Sequence, residues 1–338
     1  MNAYQLTAPT GAGALKLNQL ADPQPAPGQV LVLVRATSLN YRDLMVANGH
    51  YGPGVPVPLI PLSDGAGEIV AVGKGVTQWQ VGDRVTGTFF QNWQTGPIRK
   101  EAFDAALGGS INGMLAEFVA LSAEGVIAIP PHLSFEQAAT LPCAALTAWH
   151  ALVTSGNVSA GQTVLVLGTG GVSIFALQFA KMHGARVIIT SSSDAKLARA
   201  KALGADETIN YRTTPDWEKE VFRLTDKAGA DHVVEVGGTD TFPKSLRAVA
   251  MGGTISVIGG VSGFTSSVPL RDILGKSALL RGVFVGSRDM FAAMNRAIAQ
   301  HKLKPVIDRV FSFAEAPAAY PCLESGAHFG KVVITVSQ

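Results

Sequence analysis

Residues 164–171 read V-L-V-L-G-T-G-G, and the run that follows, V-S-I-F-A-L-Q-F-A-K-M, has the spacing of an amphipathic helix. A strand, a glycine turn and a helix together present bare backbone N–H groups and the positive end of a helix to an anion. Gly168 permits the tight turn and Gly170 lets backbone approach a pyrophosphate, while Gly171 and Val172 open the helix. Ser173 stands where the fingerprint has its third glycine, and it is small enough to keep helix and strand close. A second strand-like run, 186–190, follows about twenty residues after the first glycine, the spacing of a dinucleotide-binding unit. The expected ligand is a nicotinamide dinucleotide; the alternative is a strand–turn–helix with a purely structural role.

The end of that second strand bears on which dinucleotide. An acidic residue there bonds the 2′-hydroxyl of NAD(H) and repels a 2′-phosphate. This chain has Ser191, Ser192 and Ser193, with Lys196 one turn on and Tyr211 after the third strand. That set favours NADP(H) and leaves NAD(H) as the alternative. Lys196 fits a solvated helix face equally well. Asp194 argues the other way unless it caps a helix beginning near Ala195. Gly237 and Gly259, each followed by another glycine, close the fourth and fifth strands. Both lie at the edge where such sheets bind ligands, so they are candidates to admit the nicotinamide ring, or else ordinary turn glycines.

These motifs need a parallel α/β sheet. Candidate strands are 164–167, 187–190, 207–210, 232–235, 254–258 and 280–285; candidate helices are 172–182, 195–203, 217–225 and 242–250. The alternation predicts a doubly wound Rossmann sheet of order 3-2-1-4-5-6 over residues 123–296. Residues 1–122 read differently. Short strands (30–36, 67–73, 83–87) alternate with Gly/Pro-dense turns such as 52–58, the pattern of a small antiparallel barrel or sandwich. A long loop, 88–114, carries Phe89, Phe90, Trp93 and Phe103, which either wall a pocket or pack the loop. A helix over 290–301 precedes a terminal apolar strand, 331–336, which is expected to return to the first domain and complete it with about 297–338. The sixth Rossmann strand would be an exposed apolar edge, which predicts a homodimer.

The chain has 338 residues, 47% of them apolar and 15% charged, with a net charge of +2. It has ample core material, no low complexity, and no basic run that argues for nucleic acid. No apolar stretch approaches the roughly 18 residues of a membrane span. The N-terminal region lacks the pattern of a secretory signal, so the expected compartment is the cytoplasm. The only two cysteines, Cys143 and Cys322, exclude a disulfide framework and a four-cysteine zinc site. The seven histidines are scattered, and none forms an i,i+4 ligand pair.

The whole chain resembles the medium-chain dehydrogenase/reductase superfamily, and within it the zinc-free quinone-oxidoreductase-like and alcohol-dehydrogenase-like members. The matching segments are L-N-Y-R-D (39–43), P-L-S-D-G-A-G-E-I-V (61–70), V-G-D-R-V (81–85), L-P-C (141–143) with L-T-A-W (146–149), the glycine turn, and G-K-V-V (330–333). The resemblance implies a GroES-like β-rich catalytic domain, a Rossmann domain and an active site in the cleft between them. It places Asn40, Tyr51 and Asp64 at the site and Thr147 near the nicotinamide. Zinc-containing relatives carry a cysteine where Asn40 stands and a histidine–glutamate pair where Ser63 and Asp64 stand; Cys143 occupies the position of a further ligand. A catalytic zinc wants about three protein ligands, so no zinc is expected here and Cys143 reads as a small packed residue.

Without a metal, hydrogen-bond donors must stabilise the charge that develops on the hydride acceptor. Asn40 can donate through its amide and Tyr51 through its phenol; an ionised Asp64 cannot donate, and instead orients a donor or Arg42. Tyr41, Arg42 and Asp43 could equally form a buried polar clamp. A conjugated enone or quinone delocalises the charge and needs only weak donors. A simple aldehyde forms a localised alkoxide and needs stronger help. The expectation is therefore an NADPH-dependent, metal-independent reductase of quinones, enones or related carbonyls. The alternatives are a zinc-free alcohol/aldehyde dehydrogenase and a non-catalytic dinucleotide-binding protein.

Overall fold

The computed structural model describes residues 1–338 except Pro53, in the turn-rich segment 52–58, and Gln338. The chain forms two compact units, 1–146 with 286–338, and 147–285. The expected divisions at 122/123 and 296/297 thus stand at 146/147 and 285/286. Two pairings explain the shift. Residues just past 122 still add a strand to the first sheet, and the helix Arg288–His301 donates Asn295 Nδ2 to the Ala128 carbonyl, 3.0 Å away.

The first unit begins with an antiparallel pair, β1 (Asn2–Leu6) and β2 (Leu15–Gln19). β3 (Gln29–Ser38), β4 (Asp64–Val72), β5 (Arg84–Gly87), β6 (Phe118–Ser122) and β7 (Val126–Ala128) follow. The second unit supplies β8 (Thr163–Val166), β9 (Arg186–Ser191), β10 (Glu207–Asn210), β11 (Ala230–Glu235), β12 (Val249–Val257) and β13 (Leu279–Gly282). The chain then returns to the first unit with β14 (Ile307–Ser312) and β15 (Lys331–Thr335).

The first sheet has the order β14-β15-β3-β4-β5-β7, with β6 also on β3. It is antiparallel except between β14 and β15. The terminal strand does return: β15 pairs with β3, Val333 opposite Ser38, while Ser38 also faces Asp64 across β4. This register brings the end of β3, the start of β4 and the start of β15 to one end of the sheet. Leu6, Leu62, Ile69 and Tyr320 are among the fully buried residues beneath it.

The second sheet is wholly parallel, in the order β10-β9-β8-β11-β12-β13. This is the 3-2-1-4-5-6 arrangement expected of alternating strands and helices. Its central strands read as continuous apolar runs because helices cover both faces. Three local boundaries differ from the sequence reading. The helix at 242 ends at Ala248, since Val249 already begins a β12 strand that is longer than expected. β13 stops at Gly282, although Val283 and Val285 beyond it are buried. The helix Asp194–Ala202 is capped by Ser193, which accepts from the Lys196 N–H, and not by Asp194. Asp194 instead accepts from Asn210 Nδ2 at 2.7 Å.

In the long loop, Phe89, Phe90 and Trp93 are buried and pack on one another; Phe89 and Phe90 meet edge to face at 4.6 Å. They pack the loop.

Ser173 shows why the fingerprint tolerates a serine. Buried in the first turn of the helix Gly171–Met182, it donates from Oγ to the Leu167 carbonyl at 2.7 Å and closes the glycine turn. Ser173→Ala leaves that carbonyl one partner short and is expected to cost about 1–2 kcal/mol. Urea unfolding measures it; an unchanged midpoint would remove this bond from the account of the turn.

Candidate active site

The sheet register assembles a polar cluster inside the first unit. Asn40 follows β3 and forms the N-cap of the helix Tyr41–Ala47. Its backbone N–H donates to Asp43 Oδ2 at 2.8 Å, one half of a capping box. Asp64 opens β4 and is 0% exposed. Lys331 opens β15, 2% exposed.

Lys331 Nζ donates to the Leu39 carbonyl and to Asn40 Oδ1, each at 2.6 Å, and stands 3.9 Å from Asp64 Oδ2. Asp64 also accepts from Ser63 Oγ at 2.7 Å and from the Cys143 backbone N–H at 3.2 Å. The segment carrying Cys143 is tied to β3, because Ser38 Oγ donates to the Ala139 carbonyl at 2.9 Å. Burial pushes the Asp64 carboxyl up, while Lys331, Asn40 and Ser63 favour its anion. The Cys143 thiol is pushed far up by burial and then by Asp64, which makes it a poor nucleophile at neutral pH.

Arg42 pairs with Asp43 and not with Asp64. Its Nη1 donates to Asp43 Oδ1 at 3.1 Å and to the carbonyls of Leu107 and Gly108 at 3.0 and 2.8 Å. Gly109 makes room for it: a Cβ there would lie 2.4 Å from Arg42 Nη2. The guanidinium stacks on the rings of Tyr51, 4.5 Å away, and Phe89, 5.0 Å away. Tyr51 is therefore positioned through Arg42 rather than through Asn40 or Asp64. The buried clamp consists of Arg42 and Asp43 alone, since Tyr41 is exposed.

The chemistry of this donor set does not fit a catalytic zinc. A lysine ammonium stands against the Asn40 amide and near the Asp64 carboxylate, the Ser63 hydroxyl donates to that carboxylate, and burial pushes the Cys143 thiol up. Among the described residues, no group of three His, Cys, Asp or Glu could hold a metal.

In the second unit, the glycine turn fits a pyrophosphate. Gly168 has a φ of +73°, and a Cβ there would find only Ser173 Oγ, at 4.0 Å. Gly170 is the N-cap of the helix Gly171–Met182 and offers no side-chain cap, so Gly171 and Val172 open that helix uncapped. Ser191 is buried at the end of β9, Ser192 beside it is half-buried, and Tyr211 is exposed beyond β10. Lys196 lies half-buried in the first turn of the helix Asp194–Ala202. Thr147 is buried in the short helix Leu146–Trp149.

Gly237 and Gly259 have packing reasons of their own. A Cβ at Gly237 would meet Thr241 Oγ1 at 2.3 Å, and one at Gly259 would meet the Val236 carbonyl at 3.0 Å. The Gly237 and Gly238 N–H groups donate to the buried carboxylate of Glu235, at 2.7 and 3.0 Å.

Sequence reasoning gave no role to Lys331, although G-K-V-V was among the matching segments. The available signal was one cation at the head of an apolar, β-branched strand. Glu235, acidic at the end of an apolar strand, carried a similar signal.

The pH behaviour of the clamp follows from its burial. Asp43 is pushed up to about 6, against the pull of Arg42. Between about pH 4 and 6 the folded chain holds a proton that the unfolded chain releases, so stability falls as pH rises through that window. For one proton the slope is at most about 1.4 kcal/mol per pH unit. Asp43→Asn is expected to flatten this part of the curve, with urea unfolding at successive pH values as the check. Parallel curves for the two proteins would contradict it.

Comparison with known proteins agrees with the fold. Residues 26–131 match the alcohol dehydrogenase GroES-like domain, and residues 171–300 match the zinc-binding dehydrogenase domain. A zinc-type alcohol dehydrogenase-like protein of Schizosaccharomyces pombe is 45% identical over 334 residues, covering 97% of this chain and 96% of the relative. A quinone oxidoreductase of Pseudomonas aeruginosa is 31% identical over 341 residues, 98% of each. The structure of a putative alcohol dehydrogenase from Sinorhizobium meliloti 1021 superposes with a TM-score of 0.92 at 44% identity, covering 98% of both chains. A structure named as an NAD-dependent alcohol dehydrogenase gives 0.91 at 38% identity over 100% of both. The mycobacterial protein Rv1454c, solved with NADPH, gives 0.85 at 29% identity over 99% of this chain and 100% of its own. With its GroES-like and Rossmann units, the chain belongs to the medium-chain dehydrogenase/reductase superfamily, as an alcohol-dehydrogenase-like member of that family of dinucleotide-binding oxidoreductases.

Proposed function

We propose that the protein is a cytoplasmic, metal-independent, NADPH-dependent reductase of quinones, enones or related conjugated carbonyls. One observation carries this reading. Where zinc-containing relatives would place cysteine and histidine ligands stand Asn40 and Ser63, and the Lys331 ammonium lies among them, 2.6 Å from Asn40 Oδ1. A cation at that point repels a second cation and leaves hydrogen-bond donors to do the polarising.

When bound, the reduced dinucleotide supplies the hydride. The first unit's part is electrostatic. The Asn40 amide donates to the carbonyl oxygen of the acceptor, where charge accumulates as hydride reaches the β-carbon. A proton from water then completes the saturated product. Conjugation spreads the charge, so a neutral amide is an adequate donor. The quinone oxidoreductase relative supports this acceptor class; the alcohol dehydrogenase relatives support a simple aldehyde as the competing one.

Support for NADPH comes from the end of β9. Ser191 and Ser192 stand where an acidic residue would exclude a 2′-phosphate, and Asp194, the one nearby carboxylate in that stretch, is engaged by Asn210. The named neighbours include both an NADPH complex and an NAD-dependent enzyme, so they do not choose between the two.

The protein also carries an apolar surface suited to a second copy. β13 is an edge strand, and Leu270 and Leu274 on the neighbouring helix are 80% and 79% exposed. Covering them in a homodimer is the simplest solution.

Steady-state assays with NADPH test the reading. Turnover is expected with 2-cyclohexen-1-one or a benzoquinone, unaffected by chelators; turnover of a simple aldehyde alone would overturn it, as would zinc-dependent activity. Tight NADPH binding with no turnover on any carbonyl would leave the non-catalytic alternative. Ser192→Asp is expected to raise the KM for NADPH about tenfold or more and to leave that for NADH nearly unchanged. Sedimentation velocity is expected to give a dimer, and Leu270→Lys/Leu274→Lys a monomer.

A further inference from the structure

Glu235 buries a carboxylate among neutral donors. It closes β11 and is 0% exposed. Its Oε1 accepts from the Gly237 and Gly238 N–H groups at 2.7 and 3.0 Å and from Thr241 Oγ1 at 2.6 Å, and its Oε2 accepts from Ser245 Oγ. Among the described residues, no lysine, arginine or histidine bonds this carboxylate. A charge so placed is costly unless something compensates it. Holding the loop does not require the charge. A glutamine could take the same place: its carbonyl oxygen would accept the three bonds made to Oε1, and its NH₂ would donate to Ser245 Oγ, since a hydroxyl accepts as well as donates. The loop is also tied without Glu235, through the Ser262 N–H to the Gly237 carbonyl at 2.8 Å and the Thr239 N–H to the Gly263 carbonyl at 3.1 Å. The negative charge itself therefore calls for an explanation.

The sheet supplies a place for a compensating cation. β8 and β11 are neighbours at the point where the strand order reverses, and ligands of such sheets lie there, outside the carboxyl ends of the strands. Val234 pairs with Val166, which sets Glu235 level with Leu167, the residue before the glycine turn. Ser191 and Ser192, the candidates for the ribose phosphate, follow from β9 on one side of that point; β11 begins the other, nicotinamide-binding half. A nicotinamide ring is neutral when reduced and carries one positive charge when oxidised. We propose that Glu235 is the counter-charge to the oxidised ring: its buried carboxylate stabilises the oxidised cofactor over the reduced one and so makes the bound, reduced cofactor a stronger hydride donor. It acts through its field, as a fixed charge that tunes the cofactor's electronics. The phosphates are common to both forms of the cofactor, so their repulsion from Glu235 cancels in the comparison. The inference requires a nicotinamide dinucleotide and no particular acceptor.

Equilibrium binding tests it without turnover. Calorimetry gives Kd for NADP⁺ and NADPH, or for NAD⁺ and NADH where the wild-type protein binds that pair more tightly. Glu235→Gln is expected to weaken the oxidised form about tenfold and the reduced form less than about twofold, which is a rise of about 30 mV in the potential of the bound two-electron couple. Thr241→Lys sets a cation beside the same carboxylate from a half-buried position and is expected to move the ratio in the same direction. It keeps the proposal open to refutation where Glu235→Gln does not fold. Glu235→Asp retains the charge and is expected to hold the ratio near the wild-type value, even where it weakens both forms. Equal losses for the two forms in Glu235→Gln would reduce Glu235 to a loop support and overturn the proposal, as would an unchanged ratio in either charge-altering variant. Wild-type protein that reduces only simple aldehydes would remove the conjugated-acceptor reading and leave this inference standing; wild-type protein that binds no nicotinamide dinucleotide would remove it.

Discussion

A lysine ammonium at the junction of three strands organises the polar cluster of the first unit. Lys331 bridges the end of β3, through the Leu39 carbonyl and Asn40, to the start of β4, through Asp64. Buried charge is costly, and a buried ion pair is often replaceable by apolar residues with no loss of stability. Core packing alone therefore does not explain why the charge lies there. It does explain the order around it. The ammonium donates to Asn40 Oδ1 and so sets the direction of that amide, while the Asp64 carboxylate is oriented by the Ser63 hydroxyl and the Cys143 N–H and pairs with the ammonium by charge at 3.9 Å. The Arg42–Asp43 pair lies in the first turn of the helix that Asn40 caps and holds Tyr51 by stacking.

The second unit solves its problem with backbone rather than side chains. Its sheet order leaves β8 in the middle, and the turn after β8 starts a helix with no side-chain cap. The N–H groups left over there suit a phosphate. Ser173 and Glu235 are the supports. One bonds the Leu167 carbonyl inside the turn, and the other gathers the N–H groups of Gly237 and Gly238. Both are buried polar groups with their hydrogen bonds made, and they stiffen the loops at the carboxyl ends of neighbouring strands.

Much of this was legible in the sequence, and the rest was hidden for identifiable reasons. The parallel sheet and its order follow from apolar strands alternating with amphipathic helices, a pattern set by local burial. Strand ends were less secure, because residues such as Val249 and Val283 are apolar whether they lie in strand, helix or loop. Ser193 and Asp194 are both good caps, and only the Asn210 side chain decides between them. The candidate residues Asn40 and Asp64 could be named from segments that resemble a family. Their shared partner could not, since 291 residues separate Lys331 from Asn40 and only the β15–β3 register brings them together. Contacts made by long-range pairing leave no local periodicity.

The same register bears on how the proposed reaction would proceed without a Lewis acid. A zinc ion polarises a carbonyl through its own charge and tolerates ligands that adjust around it. A neutral amide has only a dipole, and a dipole is useful when its direction is fixed in advance. Around that amide the buried charges are paired: Lys331 lies beside Asp64, and Asp43 beside Arg42. The net charge of these four groups in their ionised forms is zero. In the proposed reaction, the developing negative charge would not meet the repulsion that a lone buried carboxylate exerts. Such a site stabilises a diffuse enolate better than a compact alkoxide, which is the physical reason to look among conjugated acceptors first.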